Sequence, residues 1–116
     1  MAIDEGEGRV LVVARSPAKL VAFSMNDGSI VAQTETCRDA DDVFVDAKRH
    51  RVYVSCGEGY IDVFEEHEGA EQRIARIETA PGARTSFFSP DVDKLFLAVR
   101  AAADEPAAIW IFRPSA

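Results

Sequence analysis

Apolar residues along the chain fall into short runs of about five residues, separated by tight polar stretches. The segment RVYVSC, for example, alternates Val52, Val54 and Cys56 with Tyr53 and Ser55. The runs are rich in Val, Ile, Phe and Tyr and end at Gly, Pro, Asn or Asp, as strands bounded by turns do. The pattern predicts β-strands along the whole chain.

Three stretches of the chain can be overlaid without gaps. They begin at residues 1, 43 and 86, so the period is 42 and then 43 residues. Arg9 of the first stretch falls on Arg51 of the second and on Lys94 of the third. A period of about 40–45 residues that is filled with strand-like runs is typical of β-propeller blades, which have four short strands each.

The sequence therefore predicts an all-β fold made of β-propeller blades, with three four-stranded antiparallel repeats of which the last lacks its outer strand. The repeats cover residues 1–42, 43–85 and 86–116 of a single partial propeller. Predicted strands cover residues 1–4, 9–14, 19–24, 30–36, 43–46, 51–56, 60–65, 73–78, 85–88, 94–99 and 108–113.

The second strand of each repeat is apolar on both of its faces. In the first repeat, Val10 and Val12 alternate with Leu11 and Val13. A strand with one face in water would show one polar face, so this pattern predicts a blade packed between two neighbours. The fourth strand is more polar, as in RIARIE, and suits the outer rim.

The sequence resembles bacterial β-propellers of the YVTN type along nearly its whole length. The family's tetrapeptide lies on the second strand, where this chain reads Tyr53-Val54-Ser55-Cys56 and matches the first two letters. The segments DADDV, RVYVSCGEGYIDVF and PGART are also similar to lactonase-like and quinoprotein-like propellers. The resemblance implies a periplasmic or secreted protein. No signal peptide is visible at the N-terminus.

Propellers usually close a ring of four to eight blades, which three blades do not complete comfortably. We therefore expect either a homodimer that closes a six-bladed ring or the missing blades of a longer parent chain. For function we expect a non-catalytic binding or scaffold module of unknown ligand. The alternative is part of a metal-dependent, lactonase-like hydrolase, which the resemblance also allows.

The net charge and the composition limit the classes of partner that the chain is expected to bind. The net charge is −7, which disfavours binding to nucleic acid or to an anionic membrane surface. No apolar run approaches the roughly 20 residues of a membrane span. The two cysteines, Cys37 and Cys56, lack the spacing of a zinc site and are expected to be small buried hydrophobic residues.

Candidate ligand-binding residues come from the loops that would surround one mouth of the central channel. They are Arg15, Asp39, Asp41, Asp42, Glu58, Arg84 and Arg100. One interpretation is a polar pocket for an anionic or carbohydrate-like ligand, with Arg15 and Arg84 as donors. The other is a solvated rim of ion pairs between blades, such as Asp41 or Asp42 with Arg84.

We expect no catalytic residue, metal site or cofactor. The acidic string DADD offers oxygen ligands but lacks the Gly and Glu of a calcium-binding loop. His50 is predicted in a turn at the opposite end of the channel and His67 in a loop at the rim, far from each other and from the acidic string. Cys56 is expected to pack between blades, with no histidine near enough to activate it.

Overall fold

A computed structural model describes all 116 residues. It contains eleven strands and no helix, which confirms the all-β prediction. The strands are β1 (Ala2–Asp4), β2 (Arg9–Arg15), β3 (Ala18–Ser24), β4 (Ile30–Glu35), β5 (Ala40–Asp46), β6 (Arg51–Cys56), β7 (Tyr60–His67), β8 (Ala70–Glu78), β9 (Ser86–Ser89), β10 (Lys94–Val99) and β11 (Ala108–Phe112). The structure contains no helix that is long and apolar enough to cross a membrane.

The strands form three antiparallel sheets, each from one sequence repeat. The first sheet has the order β1-β2-β3-β4 and the second β5-β6-β7-β8, while the third contains only β11, β10 and β9. We call them blade 1, blade 2 and blade 3. The third blade lacks a fourth strand, as predicted, and the fold is that of a partial propeller.

Two strands begin three residues earlier than predicted. β5 starts at Ala40 instead of residue 43, because a bulge keeps it paired with β6 as far as the Ala40–Cys56 pair. β8 starts at Ala70 instead of residue 73, because β7 and β8 stay paired up to His67 and Ala70. His67 therefore ends a strand and does not lie in a loop, contrary to the prediction.

Apolar side chains fill the two junctions between blades. The blade 1–blade 2 junction contains Leu11, Leu20, Ala22, Cys37, Ala40, Val43, Val52, Val54, Cys56 and Phe64. The blade 2–blade 3 junction contains Tyr53, Ile61, Val63, Ala83, Phe88, Leu95 and Leu97. Val52 and Val54 thus face blade 1 while Tyr53, between them on β6, faces blade 3, as the period of two in a strand requires.

Among the second strands, only β6 is buried on both faces, from Val52 to Cys56. On β2, Leu11 is buried against blade 2, whereas Val10 and Val12 are only half-buried. The second strands of the first and third repeats each have one face that is half-buried or exposed, because blades 1 and 3 each have a neighbour on one side only.

Ion pairs connect neighbouring blades at the end where the turns between the first and second strands lie. In the blade 2–blade 3 junction, Arg49 donates to Asp93 Oδ1 at 2.6 Å and to Asp46 Oδ2 at 3.0 Å. The hydroxyl of Tyr53 also donates to Asp46 Oδ2, at 2.6 Å. Burial and the Asp46 charge raise the pKa of Tyr53 far above its ordinary value. The phenol therefore stays neutral and keeps donating to the carboxylate.

Candidate functional site

The predicted channel-mouth residues come from two kinds of loop at one end of the blades. Arg15 ends β2 and Glu58 lies in the turn after β6, while the connections between blades supply Asp39 and Arg84. Arg15, Asp39, Asp41 and Arg84 lie in one ion-pair network. The structure thus brings together four of the seven residues that the sequence indicated.

Asp39 is the centre of this network. Its Oδ2 accepts hydrogen bonds from Arg84 Nε at 2.9 Å and from Arg84 Nη2 at 2.7 Å. The pair packs directly over Gly57, where an added Cβ would lie 1.9 Å from Asp39 Oδ2. Gly57 is therefore part of the site, and its position in the turn after β6 is the only sequence signal that points to it.

Arg15 joins blade 1 to blade 2 at the mouth. Its Nη2 donates to Asp41 Oδ1 at 2.6 Å, and its Nε donates to the carbonyl oxygen of Ala40 at 3.4 Å. The hydrogen bond to Asp41, followed by the charge of Asp39, raises the pKa of Arg15. Both guanidinium groups that were expected to receive an anionic ligand, those of Arg15 and Arg84, thus already have carboxylate partners.

The pairing predicted for the rim is only partly right. Ion pairs between blades do form, but Arg84 pairs with Asp39 and not with Asp41 or Asp42. Asp42 instead accepts a hydrogen bond from the backbone N–H of Ser86 at 2.8 Å. The reason is that Asp42 lies within β5 and is directed at β9, whereas Asp39 lies in the connection before β5.

Glu58 and Arg38 form a separate pair at the edge of the mouth. Their side chains approach to 3.3 Å, and Glu58 Oε1 accepts the backbone N–H of Arg38 at 2.9 Å. Because Arg38 is exposed, this ion pair contributes little to stability. It does hold the connection between blades 1 and 2 against the β6–β7 turn.

Arg100 differs from the other basic residues at the mouth because it has no carboxylate partner. Its guanidinium lies against Gly82, where an added Cβ would be 2.5 Å from Arg100 Nη2. A depression of about 670 Å³ opens beside it, lined by Arg84, Thr85, Arg100 and Ile109 among others. Arg100 is the one predicted ligand donor whose charge the chain leaves free.

A disulfide bond between Cys37 and Cys56 lies just beneath this network, with the two Cα atoms 5.9 Å apart. Both cysteines are buried, as expected, but the expectation that they are unlinked hydrophobic residues is wrong. The bond ties the connection before β5 to the end of β6. It therefore anchors the loop that carries Asp39.

Asp62 supports the same loop from below. It is fully buried and accepts the backbone N–H of Cys37 at 2.8 Å and the hydroxyl of Thr36 at 3.0 Å. Its Oδ1 also accepts Arg76 Nε at 2.7 Å, and this hydrogen bond raises the pKa of Arg76. Asp62 stands alone in an apolar strand without a repeated counterpart, so no sequence pattern indicates its role.

The two histidines lie away from the mouth. His67 pairs with Glu65, with His67 Nε2 2.8 Å from Glu65 Oε1. His50 lies in the turn between β5 and β6, as predicted, at the opposite end of the blades. There it is close to Glu7 and Glu66. The N–H of Glu66, the neighbour of His67, donates to the carbonyl oxygen of His50 at 3.0 Å, so the prediction that the two histidines lie far apart is wrong.

Comparison with known proteins supports the fold and leaves the function open. No protein-family model matches the chain, and no curated protein matches it. Among solved structures, it is similar to a chain of the structure titled "Crystal Structure of Mitotic Checkpoint Complex", with a TM-score of 0.74 and 13% identity. The match covers 92% of this chain and 33% of that one, so this chain spans about a third of its structural neighbour.

Proposed function

We propose that the chain is a non-catalytic binding or scaffold module, a part of a propeller whose ring is closed by further blades. Those blades come from a second copy, which makes a six-bladed homodimer, or from the rest of a longer parent chain. The observation that carries the proposal is the exposed apolar surface on the outer face of each end blade. A soluble monomer rarely exposes large contiguous apolar patches.

The outer face of blade 3 is the clearer of the two. Ile109 is 61% exposed and Phe87 is 58% exposed, and Ile111 extends the same surface. Ile109 and Ile111 are paired across the sheet with Ala98 and Phe96, so all of these side chains share one face. On blade 1 the corresponding outer face presents Ile3, Val10 and Val12.

The junctions inside the chain indicate how these faces would be covered. Val10 and Val12 occupy the repeat positions of Val52 and Val54, which pack against the preceding blade. Phe96 occupies the position of Tyr53, which packs against the following blade. Blade 1 of one copy and blade 3 of another therefore offer the two halves of a normal junction, which supports closure by two copies around a two-fold axis.

The unpaired charge of Arg100 supports closure by a blade that carries a carboxylate at this junction. It occupies the repeat position of Arg15, which pairs with Asp41 across the junction between blades 1 and 2. By analogy, a carboxylate placed like Asp41 in the next blade of a longer parent chain would meet Arg100. If the mouth also holds a small ligand, Arg100 is the donor that remains for an anionic group.

The hydrolase alternative receives no support from the mouth. The carboxylates that would hold a catalytic metal are engaged with protein groups: Asp39 and Asp41 with arginines, Asp42 with a backbone N–H and Glu58 with Arg38. A binding surface, in contrast, needs only the ordered loops that these contacts provide.

The test is the mass of wild-type protein and of two matched variants, measured by size-exclusion chromatography with light scattering. Ile109→Glu places a charge on the outer face of blade 3, and Val92→Glu places one on an exposed turn of the same blade. We expect the first to shift the protein towards the monomer and the second to leave its mass unchanged. Monomeric wild-type protein would overturn closure by a second copy and leave only a longer parent chain, and equal behaviour of the two variants would overturn the role proposed for the outer face of blade 3.

A further inference from the structure

A second cluster of polar side chains lies at the end of the blades opposite the mouth. Glu7 is in the turn between β1 and β2, His50 is in the turn between β5 and β6, and Glu66 is near the end of β7. One ligand atom from each residue lies within 4.8 Å of the other two. The cluster therefore joins blade 1, through Glu7, to blade 2, through His50 and Glu66.

The two carboxylates of this cluster have no basic partner in the chain. The ion pairs of the structure connect neither Glu7 nor Glu66 to a lysine or an arginine, and Glu66 Oε2 accepts only the backbone N–H of Gly69, at 2.9 Å. Two carboxylates held this close repel each other unless a cation lies between them. Glu65, one residue away, has both Arg51 and His67 as partners.

The imidazole of His50 is the third group and makes no hydrogen bond within the chain. Its backbone is fixed, because the carbonyl oxygen of His50 accepts the N–H of Glu66 at 3.0 Å. That bond keeps the turn that carries the imidazole beside the strand that carries one of the carboxylates. The imidazole is exposed and faces a pair of anions, so it is free to bind a cation through a neutral ring nitrogen.

We propose that Glu7, His50 and Glu66 bind a divalent cation of the Zn²⁺ type, with water in the remaining coordination positions. One imidazole nitrogen and two carboxylate oxygens are a normal ligand set for Zn²⁺, Co²⁺ or Ni²⁺. Mg²⁺ and Ca²⁺ prefer oxygen ligands alone and are disfavoured by the imidazole. Because its ligands come from two blades, the bound ion fastens the junction between them.

The first test is Zn²⁺ binding to the chelator-treated full chain, by calorimetry and by thermal melting, with Mg²⁺ as the comparison ion. The two histidines provide a matched pair of variants. His50→Asn removes the imidazole and suits the left-handed backbone at this position, where φ is 56°. His67→Asn removes the other imidazole, which already has a partner.

We expect one equivalent of Zn²⁺ to bind to the wild type and to His67→Asn, and to raise both melting temperatures. His50→Asn should lose this binding and this increase while melting normally without metal. Equal binding by His50→Asn and the wild type, or no stoichiometric binding by the wild type, would overturn the proposal.

The second test asks whether the carboxylates act as ligands or only as general negative charge. Glu7→Gln and Glu5→Gln each remove one charge from the same exposed turn, but only Glu7 is in the cluster. The visible absorption of bound Co²⁺ reports coordination independently of stability. We expect Glu7→Gln to lose the spectrum and Glu5→Gln to keep it, and equal loss in both would show a diffuse acidic surface and overturn the proposal.

Discussion

Blade 2 and the two end blades are built on the same repeat but differ in their surroundings. Each has an apolar second strand, yet only β6 in blade 2 has its side chains buried on both faces. Val54 is fully buried between blades, whereas Val12, at the same position in the first repeat, is half-buried. The repeat pattern therefore gives all three second strands an apolar sequence, while the burial of each strand depends on the blades beside it.

The largest expected effect comes from charging this repeat position in the middle blade. Val54→Asp places an unpaired carboxylate between two packed sheets, which should cost more than about 4 kcal/mol and abolish the fold. Val12→Asp should keep the strand content, because water reaches that face, but it should weaken association. Circular dichroism and the solution mass of both variants check this, and equal loss of structure in the two would contradict the comparison.

The next largest effect is expected at Asp62, a fully buried carboxylate in blade 2 whose repeat position in blade 1 is occupied by Val21. Asp62→Ala leaves Arg76 and the backbone N–H of Cys37 without their acceptor. Because the Arg76 side chain is 35% exposed and can be solvated, the cost comes mainly from the buried Cys37 N–H and Thr36 hydroxyl, at about 1–3 kcal/mol for each unsatisfied donor. The matched control is Val21→Ala, since Val21 has the same repeat position in blade 1 and is only half-buried. Urea denaturation should show a much smaller loss for the control, and comparable losses would argue against a special role of Asp62.

The disulfide distinguishes the two junctions. Cys37 and Cys56 link the blade 1–blade 2 junction, whereas Ala80 and Val99 occupy the same repeat positions in the blade 2–blade 3 junction. Removing a disulfide that closes a loop of this length costs about 3 kcal/mol. We expect the double variant Cys37→Ser, Cys56→Ser to lose that much in urea denaturation, and reduction of the wild type to have a similar effect. An unchanged unfolding midpoint after complete reduction would contradict the assignment of the bond.

The smallest expected effect is a pH dependence at the blade 2–blade 3 junction. The hydrogen bond from Arg49 lowers the pKa of Asp93 below its ordinary value. A lowered pKa in the folded state stabilises the protein above the unfolded value of about 3.9 and ceases to do so as the pH falls through the folded value. The wild type should therefore melt above Asp93→Asn at neutral pH, and the difference should shrink on acidification. A difference that grows below about pH 4 would contradict this account.

The fold was largely predictable because its signal is local and occurs three times. The second strands of all three repeats begin where predicted, at Arg9, Arg51 and Lys94. Strand ends were less predictable, because the extension of β5 to Ala40 depends on a bulge whose partner is 16 residues away along the chain. Local patterns do not report such a contact.

The candidate site was predictable as a location but not in its pairings. The repeat places Arg15, Asp39 and Arg84 at one mouth, and the structure agrees. Arg84 pairs with Asp39 and not with Asp42 because Asp42 is directed at the Ser86 N–H of β9, and this tertiary contact is not visible in a local pattern. The disulfide was missed for a related reason, since neither cysteine recurs in another repeat.

We propose that the end blades are closed by further blades, and the decisive measurement is the solution mass of the wild-type chain. Sedimentation velocity over a range of micromolar concentrations separates a monomer from larger assemblies. We predict association that increases with concentration, with a two-fold dimer as the first closed species and an interface of about 2,000 Å² or more. A compact and stably folded monomer at every concentration would contradict the claim.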